Sequence, residues 1–197
     1  MENLAKHIDF ILELDKLKTV KRKTMVLADN NRQENSAEHS WHIALMAQAL
    51  VEYADEEIAL DRVVSMLLIH DVVEIDAGDV FAFAHADEHS EQEQKEIAAA
   101  NRIFGLLPAQ QAQQFIALWL EFEQAQTADA RFAKAMDRVL PVFQNMSNQG
   151  GSWSKHGVTK SQVIDRNIYL QKSAPKLWQY VLEQIELAVQ NGWLKEA

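Results

Sequence analysis

The stretch Val63-Val64-Ser65-Met66-Leu67-Leu68-Ile69-His70-Asp71 is the longest apolar block in the chain, and it runs straight into a polar pair. It is too short to cross a membrane, which takes about 20 apolar residues. It reads as a buried helix with a polar end. Residues 58–69 are apolar almost all round, as a central helix should be. Outward in both directions, apolar residues recur at helical spacing. Leu4, Ile8, Ile11 and Leu12 make one stripe, and Ala44, Ala47 and Val51 another. Downstream come Ile97 to Phe104, Phe115 to Phe122, Phe132 to Phe143, and Trp178 to Val189, with residues 164–170 less regular.

Helix punctuation agrees. Ser36 and Thr127 read as N-caps. Thr159-Lys160-Ser161-Gln162 fits a capping box. Gly105 and Pro108 close a helix. Residues 18–35, 76–89 and 148–158 read as non-helical. The expected fold is all-α, a single helical bundle over residues 1–197 with about seven or eight helices.

Composition narrows the function classes. The chain has 197 residues, enough to bury roughly 70% of its unfolded surface in one core. Cysteine is absent, which removes disulfides, thiolate metal sites and a Cys nucleophile. Any metal must sit on His and carboxylates. Gly (6) and Pro (3) are scarce, against a turn-rich β protein. The net charge is −10, from 19 basic and 29 acidic residues, and argues against nucleic acid as a partner. An anionic small molecule stays compatible if a cation sits in the site. Residues 1–7 are mixed polar and no apolar segment follows, so neither a secretory signal nor a membrane span is expected. The expected location is cytoplasmic.

His70-Asp71 carries the chemistry. Alone the pair means little, because short motifs turn up by chance. Here it ends the most apolar helix, where a carboxylate is costly to bury without a partner. A second histidine, His39, lies at a helix start within Ser36-Ala37-Glu38-His39-Ser40. A distant carboxylate, Asp137, adjoins an apolar stripe, and its burial also demands a pair or a cation. Two imidazoles and two carboxylates from three helices form a ligand set that divalent transition ions accept. Positions left over for water make such a site catalytic rather than structural.

With these residues in place, the chain resembles the HD-domain metal-dependent phosphohydrolases, whose H…HD…D signature matches His39, His70-Asp71 and Asp137. The segments Leu68-Ile69-His70-Asp71-Val72-Val73-Glu74, Asp76-Ala77-Gly78-Asp79 and Ala128 to Asp137 look like the branch that contains the 5′-deoxynucleotidases. The resemblance implies one divalent transition metal ion (Co, Mn, Zn, Fe or Ni) on His39, His70, Asp71 and Asp137. It implies Glu74, one turn past His70, as a catalytic proton-handling residue. It implies Asp79, after the Ala77-Gly78 turn, as the residue that orients water. Arg22 matches the phosphate-gripping arginine, with Arg32 as a rival. Lys23 takes the substrate-side position where the best-known members carry Trp, so the deoxyribose preference stays open. The implied reaction hydrolyses a deoxynucleoside 5′-monophosphate to deoxynucleoside and phosphate. The implied partners are a small-molecule nucleotide and a second copy of the chain, with Trp178 and Trp193 as an interface.

Plainer readings stand beside these. His39 alone reads as a helix-start histidine, Asp137 as an ion-pair partner of Arg138 or Arg131, and Glu74 as a solvated helix-end carboxylate. Asp79 reads as a turn cap and Arg22 as part of a solvated loop. His42 reads as packing or pocket lining, His85 and His89 as surface residues, and His156 as a loop residue. The same metal site also suits another phosphomonoester or a longer nucleotide. A third reading is a non-catalytic regulatory protein with a structural metal; Glu74 and Asp79 count against it, since a structural site needs neither.

Overall fold

The computed structural model describes the backbone of residues 1–83 and 86–197 and the side chains of residues 1–83 and 91–197. Among the described residues, seven helices of ten or more residues make the frame: α1 (Glu2–Leu14), α2 (Ser36–Leu50), α3 (Leu60–Ile69), α5 (Ala86–Phe104), α6 (Ala109–Gln124), α7 (Ala128–Ser147) and α11 (Pro175–Gln190). Four short ones fill between them: α4 (Glu74–Ala77), α8 (Gly151–His156), α9 (Lys160–Arg166) and α10 (Tyr169–Ser173). The short segments carry too few apolar positions to show a helical period, so the sequence reading underestimates their number. His85 and the side chain of His89 lie outside the described residues.

Two departures shape the site. Residues 18–35 are not an open loop. They contain an antiparallel hairpin of β1 (Lys21–Val26) and β2 (Arg32–Asn35), with a register irregularity between Lys21 and Met25. Asn30 and Asn31 turn the chain with positive φ, which Asn tolerates. Strand alternation then turns Arg22 and Thr24 inward and leaves Lys23 exposed. Residues 148–158 likewise hold α8 rather than open loop.

Among the described residues the apolar core forms two clusters. The larger joins α2, α3, α7 and α11 through Ile43, Met66, Leu67, Met136 and Ile185. Met66 and Leu67 are fully buried, worth about 2 kcal/mol each in transfer free energy. Leu68 is 48% exposed, so α3 buries one side and not its whole circumference. The second cluster joins α1, α5 and α6 through Phe10, Ile103, Phe104 and Trp119, and it takes Val72 and Val73. The tight turn His70–Val73 therefore sits at the seam between the clusters. This is what brings its polar pair to a cleft. In α1 only Phe10 is buried among the apolar residues, while the stripe Leu4, Ile8, Ile11 and Leu12 is exposed. Trp178 is in the larger core, so it is not the exposed interface residue the sequence suggests.

Candidate metal centre and active-site cleft

Local chemistry presents each site residue. The N-cap of α2 is Asn35, not Ser36: the Asn35 side chain accepts from the Glu38 amide, and the Glu38 carboxylate accepts from the Asn35 amide. This frees the Ser36 hydroxyl, which donates to Glu74 Oε2 at 2.5 Å. His39 follows one turn into α2 and is fully buried. Thr127 caps α7 as expected. In α7, Pro141 lacks the amide that would bond the Asp137 carbonyl four residues back. Gly78 has φ +76°, a conformation that a side chain would strain, and it turns the chain so that Asp79 faces the cleft.

His39, His70 and Asp137 offer ligand atoms within 4.8 Å of one another. His39 Nε2 lies 3.0 Å from Asp137 Oδ1. His70 Nδ1 donates to the Leu67 carbonyl at 2.8 Å, which leaves Nε2 facing the carboxylates. That Nε2 is 2.9 Å from Asp71 Oδ1 and 3.6 Å from Asp137 Oδ1, yet it makes no hydrogen bond among the described residues. Asp71 stands at the edge of the trio, with its other oxygen accepting from Arg22 Nη1 at 2.6 Å. A buried imidazole nitrogen aimed at two carboxylates without a hydrogen bond fits a divalent transition ion.

The charge balance points the same way. Burial opposes charge on His70, but Asp71 and Asp137 outweigh it and push the imidazole up to about 10. Asp71 is buried too, yet His70 and Arg22 draw it down to about 2. Asp137 is held well below the usual range against its burial by His39 and His70. The cluster thus calls for positive charge. Burial and the neighbouring Asp71 push Glu74 well above its ordinary value despite Arg22. Burial likewise lifts Asp79 to about 6 against Arg22.

Arg22 is the hub. Besides Asp71, its guanidinium comes within 4.0 Å of Glu74, Asp79, Asp137 and Glu34. Arg22, His70, Asp71, Glu74, Asp79 and Asp137 all line one cleft of about 530 Å³. Lys23 lines a smaller adjoining cavity of about 70 Å³. Arg32 lies apart, paired with Asp29 and Glu38, and His42 shares its separate groove. His156 closes α8, its ring 4.8 Å from that of Phe81. Asp137 has neither of the ion-pair partners suggested for it at bonding distance: Arg131 pairs with Glu56, and Arg138 donates to the Arg166 carbonyl.

The sequence reading misses three features. Glu34, buried in β2, accepts from Thr24 at 2.8 Å and from Gln144 at 2.7 Å, and lies 3.5 Å from His39 Nδ1. Ser36 is read as a cap and not as the Glu74 donor. Arg138 and Arg166 line both the cleft and the adjoining cavity. The one available signal is the placement of Arg138 directly after Asp137.

The HD domain family model matches residues 14–178. Human 5′-deoxynucleotidase HDDC2 is 30% identical over 139 residues, 70% of this chain and 65% of that protein. Its Xenopus laevis namesake is 31% identical over 139 residues, 70% of this chain and 66% of its own. The matches thus span just under two thirds of the length of these relatives. A protein from Magnetospirillum magnetotacticum MS-1, described as a predicted metal-dependent phosphohydrolase, has a TM-score of 0.92 and 47% identity, covering 99% of this chain and 100% of its own. An HD-domain phosphohydrolase from Listeria innocua shares the fold at 17% identity and a TM-score of 0.65, covering 95% of each chain. With the family match running through most of the helices and all four signature residues, this chain belongs to the HD domain family.

Proposed function

We propose that this protein is a metal-dependent phosphomonoester hydrolase, acting in the cytoplasm on deoxynucleoside 5′-monophosphates to release deoxynucleoside and phosphate. The observation that carries the reading is that His70, Asp71, Asp137, Arg22, Glu74 and Asp79 line one cleft, with the buried His39 against Asp137. His39, His70, Asp71 and Asp137 would hold the ion. When bound, it supplies Lewis-acid polarisation of a phosphoryl oxygen and acidifies water. Arg22 binds the phosphate as a fixed, planar donor set that the chain's net −10 would otherwise oppose. Asp79 orients the attacking water through its carboxylate oxygens. Glu74 moves the proton: as the water oxygen bonds to phosphorus the P–O5′ bond breaks, the leaving O5′ takes a proton from the Glu74 carboxyl, and the carboxylate is reprotonated by the proton that the attacking water gives up. Ser36 fixes that carboxyl against rotation. Lys23, at the rim of the adjoining cavity, contacts the sugar side of the substrate.

We propose a homodimer as the working assembly. The support is the exposed apolar stripe of α1, with Leu4 at 59%, Ile11 at 58% and Leu12 at 65% exposure. Sedimentation velocity reads this directly.

A phosphate-release screen tests the activity, over deoxy- and ribonucleoside 5′-monophosphates with Co, Mn, Zn, Fe and Ni supplied in turn. Metal-dependent release from deoxynucleoside monophosphates supports the reading. Equal turnover of a deoxynucleoside triphosphate would move it to longer nucleotides, and no release with any ion would remove it.

A further inference from the structure

The chain has seven arginines. Five are paired with carboxylates: Arg22 with Asp71, Arg32 with Glu38, Arg62 with Glu121, Arg102 with Glu13 and Arg131 with Glu56. Arg138 and Arg166 have no carboxylate partner among the described residues, although acidic groups outnumber basic ones by 29 to 19. These two share one place, lining both the cleft and the smaller cavity beside it. Arg138 Nε is buried and has no hydrogen-bond partner among the described residues.

Asp79 and Asp137 also line the smaller cavity, but neither arginine forms an ion pair with them, so both guanidiniums keep donors for an anion that enters it. Burial pulls Arg166 below its ordinary value, and Arg138 and Arg22 add to this against Asp137. Arg138 is also held in place. The Arg138 guanidinium stacks on the Tyr169 ring at 4.5 Å, and its Nη1 donates to the Arg166 carbonyl at 3.2 Å. Stacking and one backbone contact leave other N–H donors directed elsewhere, which is the arrangement that grips an oxyanion.

We propose that Arg138 and Arg166 form an oxyanion subsite beside the metal cluster, taking a phosphate-class group. Two sources fit this chemistry: the phosphate being hydrolysed, or a second anionic group on the same substrate. The phosphate class rests on the phosphohydrolase reading above.

The test uses the full chain, wild type and the Arg138→Gln/Arg166→Gln double variant, supplied with the same metal. Inorganic phosphate is titrated by calorimetry. The double variant should bind it about tenfold more weakly or worse, because charge-assisted hydrogen bonds are lost. Arg166→Lys, which keeps the charge on an unaltered fold by circular dichroism, should fall between the two. The kcat/KM for deoxyadenosine 5′-monophosphate and for deoxyadenosine 3′,5′-bisphosphate then separates the sources. Equal loss on both assigns the subsite to the reacting phosphate, and loss confined to the bisphosphate assigns it to a second anion. Phosphate affinity equal to wild type overturns the subsite even if the enzyme is active. Loss of phosphate affinity in a protein that hydrolyses no nucleotide keeps the subsite and removes the hydrolase reading.

Discussion

The Ser36 hydroxyl donates to Glu74 Oε2 across 2.5 Å, tying the first residue of α2 to the first residue of α4. The bond is available because Asn35 takes over the capping of α2. Both partners are buried. Ser36→Ala should therefore cost about 1–2 kcal/mol of stability, the usual penalty for leaving a buried polar group short of a partner. It should also lower kcat, because the Glu74 carboxyl loses its fixed orientation. Urea unfolding and single-substrate kinetics read the two effects. Unchanged stability and kcat would show that the bond holds nothing in place.

Glu74 and Arg22 should separate in kinetics. Removing general acid–base help costs roughly 10²–10⁴-fold in rate. Glu74→Gln should lose kcat by that order while KM stays close to wild type, because the contact matters in the transition state. Arg22→Gln removes a donor that also grips the ground-state phosphate, so KM should rise clearly. Near wild-type kcat in Glu74→Gln would transfer the proton role to Asp79.

Metal retention should fall in two grades. Asp71→Asn removes a proposed ligand and should abolish bound metal, with helicity by circular dichroism intact. Glu34→Gln leaves the ligands but removes the buried carboxylate 3.5 Å from His39 Nδ1. Such supporting contacts typically contribute about 10–100-fold to metal affinity. Chelator competition followed by elemental analysis reads both. Full occupancy in Asp71→Asn would exclude it from the ligand set.

Glu96 lines the cleft, and burial lifts its carboxyl to about 7; nearby Glu123 and Asp71 add to this against Gln92 and Lys134. A carboxyl raised in the folded state favours folding while protonated. Its contribution is complete below the unfolded value of 4.5 and is lost as pH rises through about 7. At about 1.4 kcal/mol per pH unit the ceiling is about 3 kcal/mol, and solvent screening at this partly exposed position brings it to about 1–2. Glu96→Gln should lack that fall. The stability gap between variant and wild type, from denaturant melts, should grow in the variant's favour between pH 5 and pH 8. A gap independent of pH would show that Glu96 has an ordinary carboxylate value.

The sequence by itself determined the helical class and the signature. The stripes through α2, α7 and α11 are periodic because one face must leave water, and that period is written along the chain. His70-Asp71 stood out because burial makes a polar pair at the end of an apolar helix costly. Thr127 and the Thr159 capping box were legible because caps act within one turn. The β1–β2 hairpin was hidden, since six residues of mostly Lys, Arg and Thr carry no apolar alternation. Tertiary structure alone decided which charges meet. Arg22 lies 49 residues from Asp71 and Glu34 110 residues from Gln144. Arg138 and Arg166 look like any surface arginines in the sequence. Their lack of an ion pair among the described residues, like Arg22's surplus, comes from the folding of α7 and α9 around one cleft, because ion pairing depends on distance through space and not along the chain.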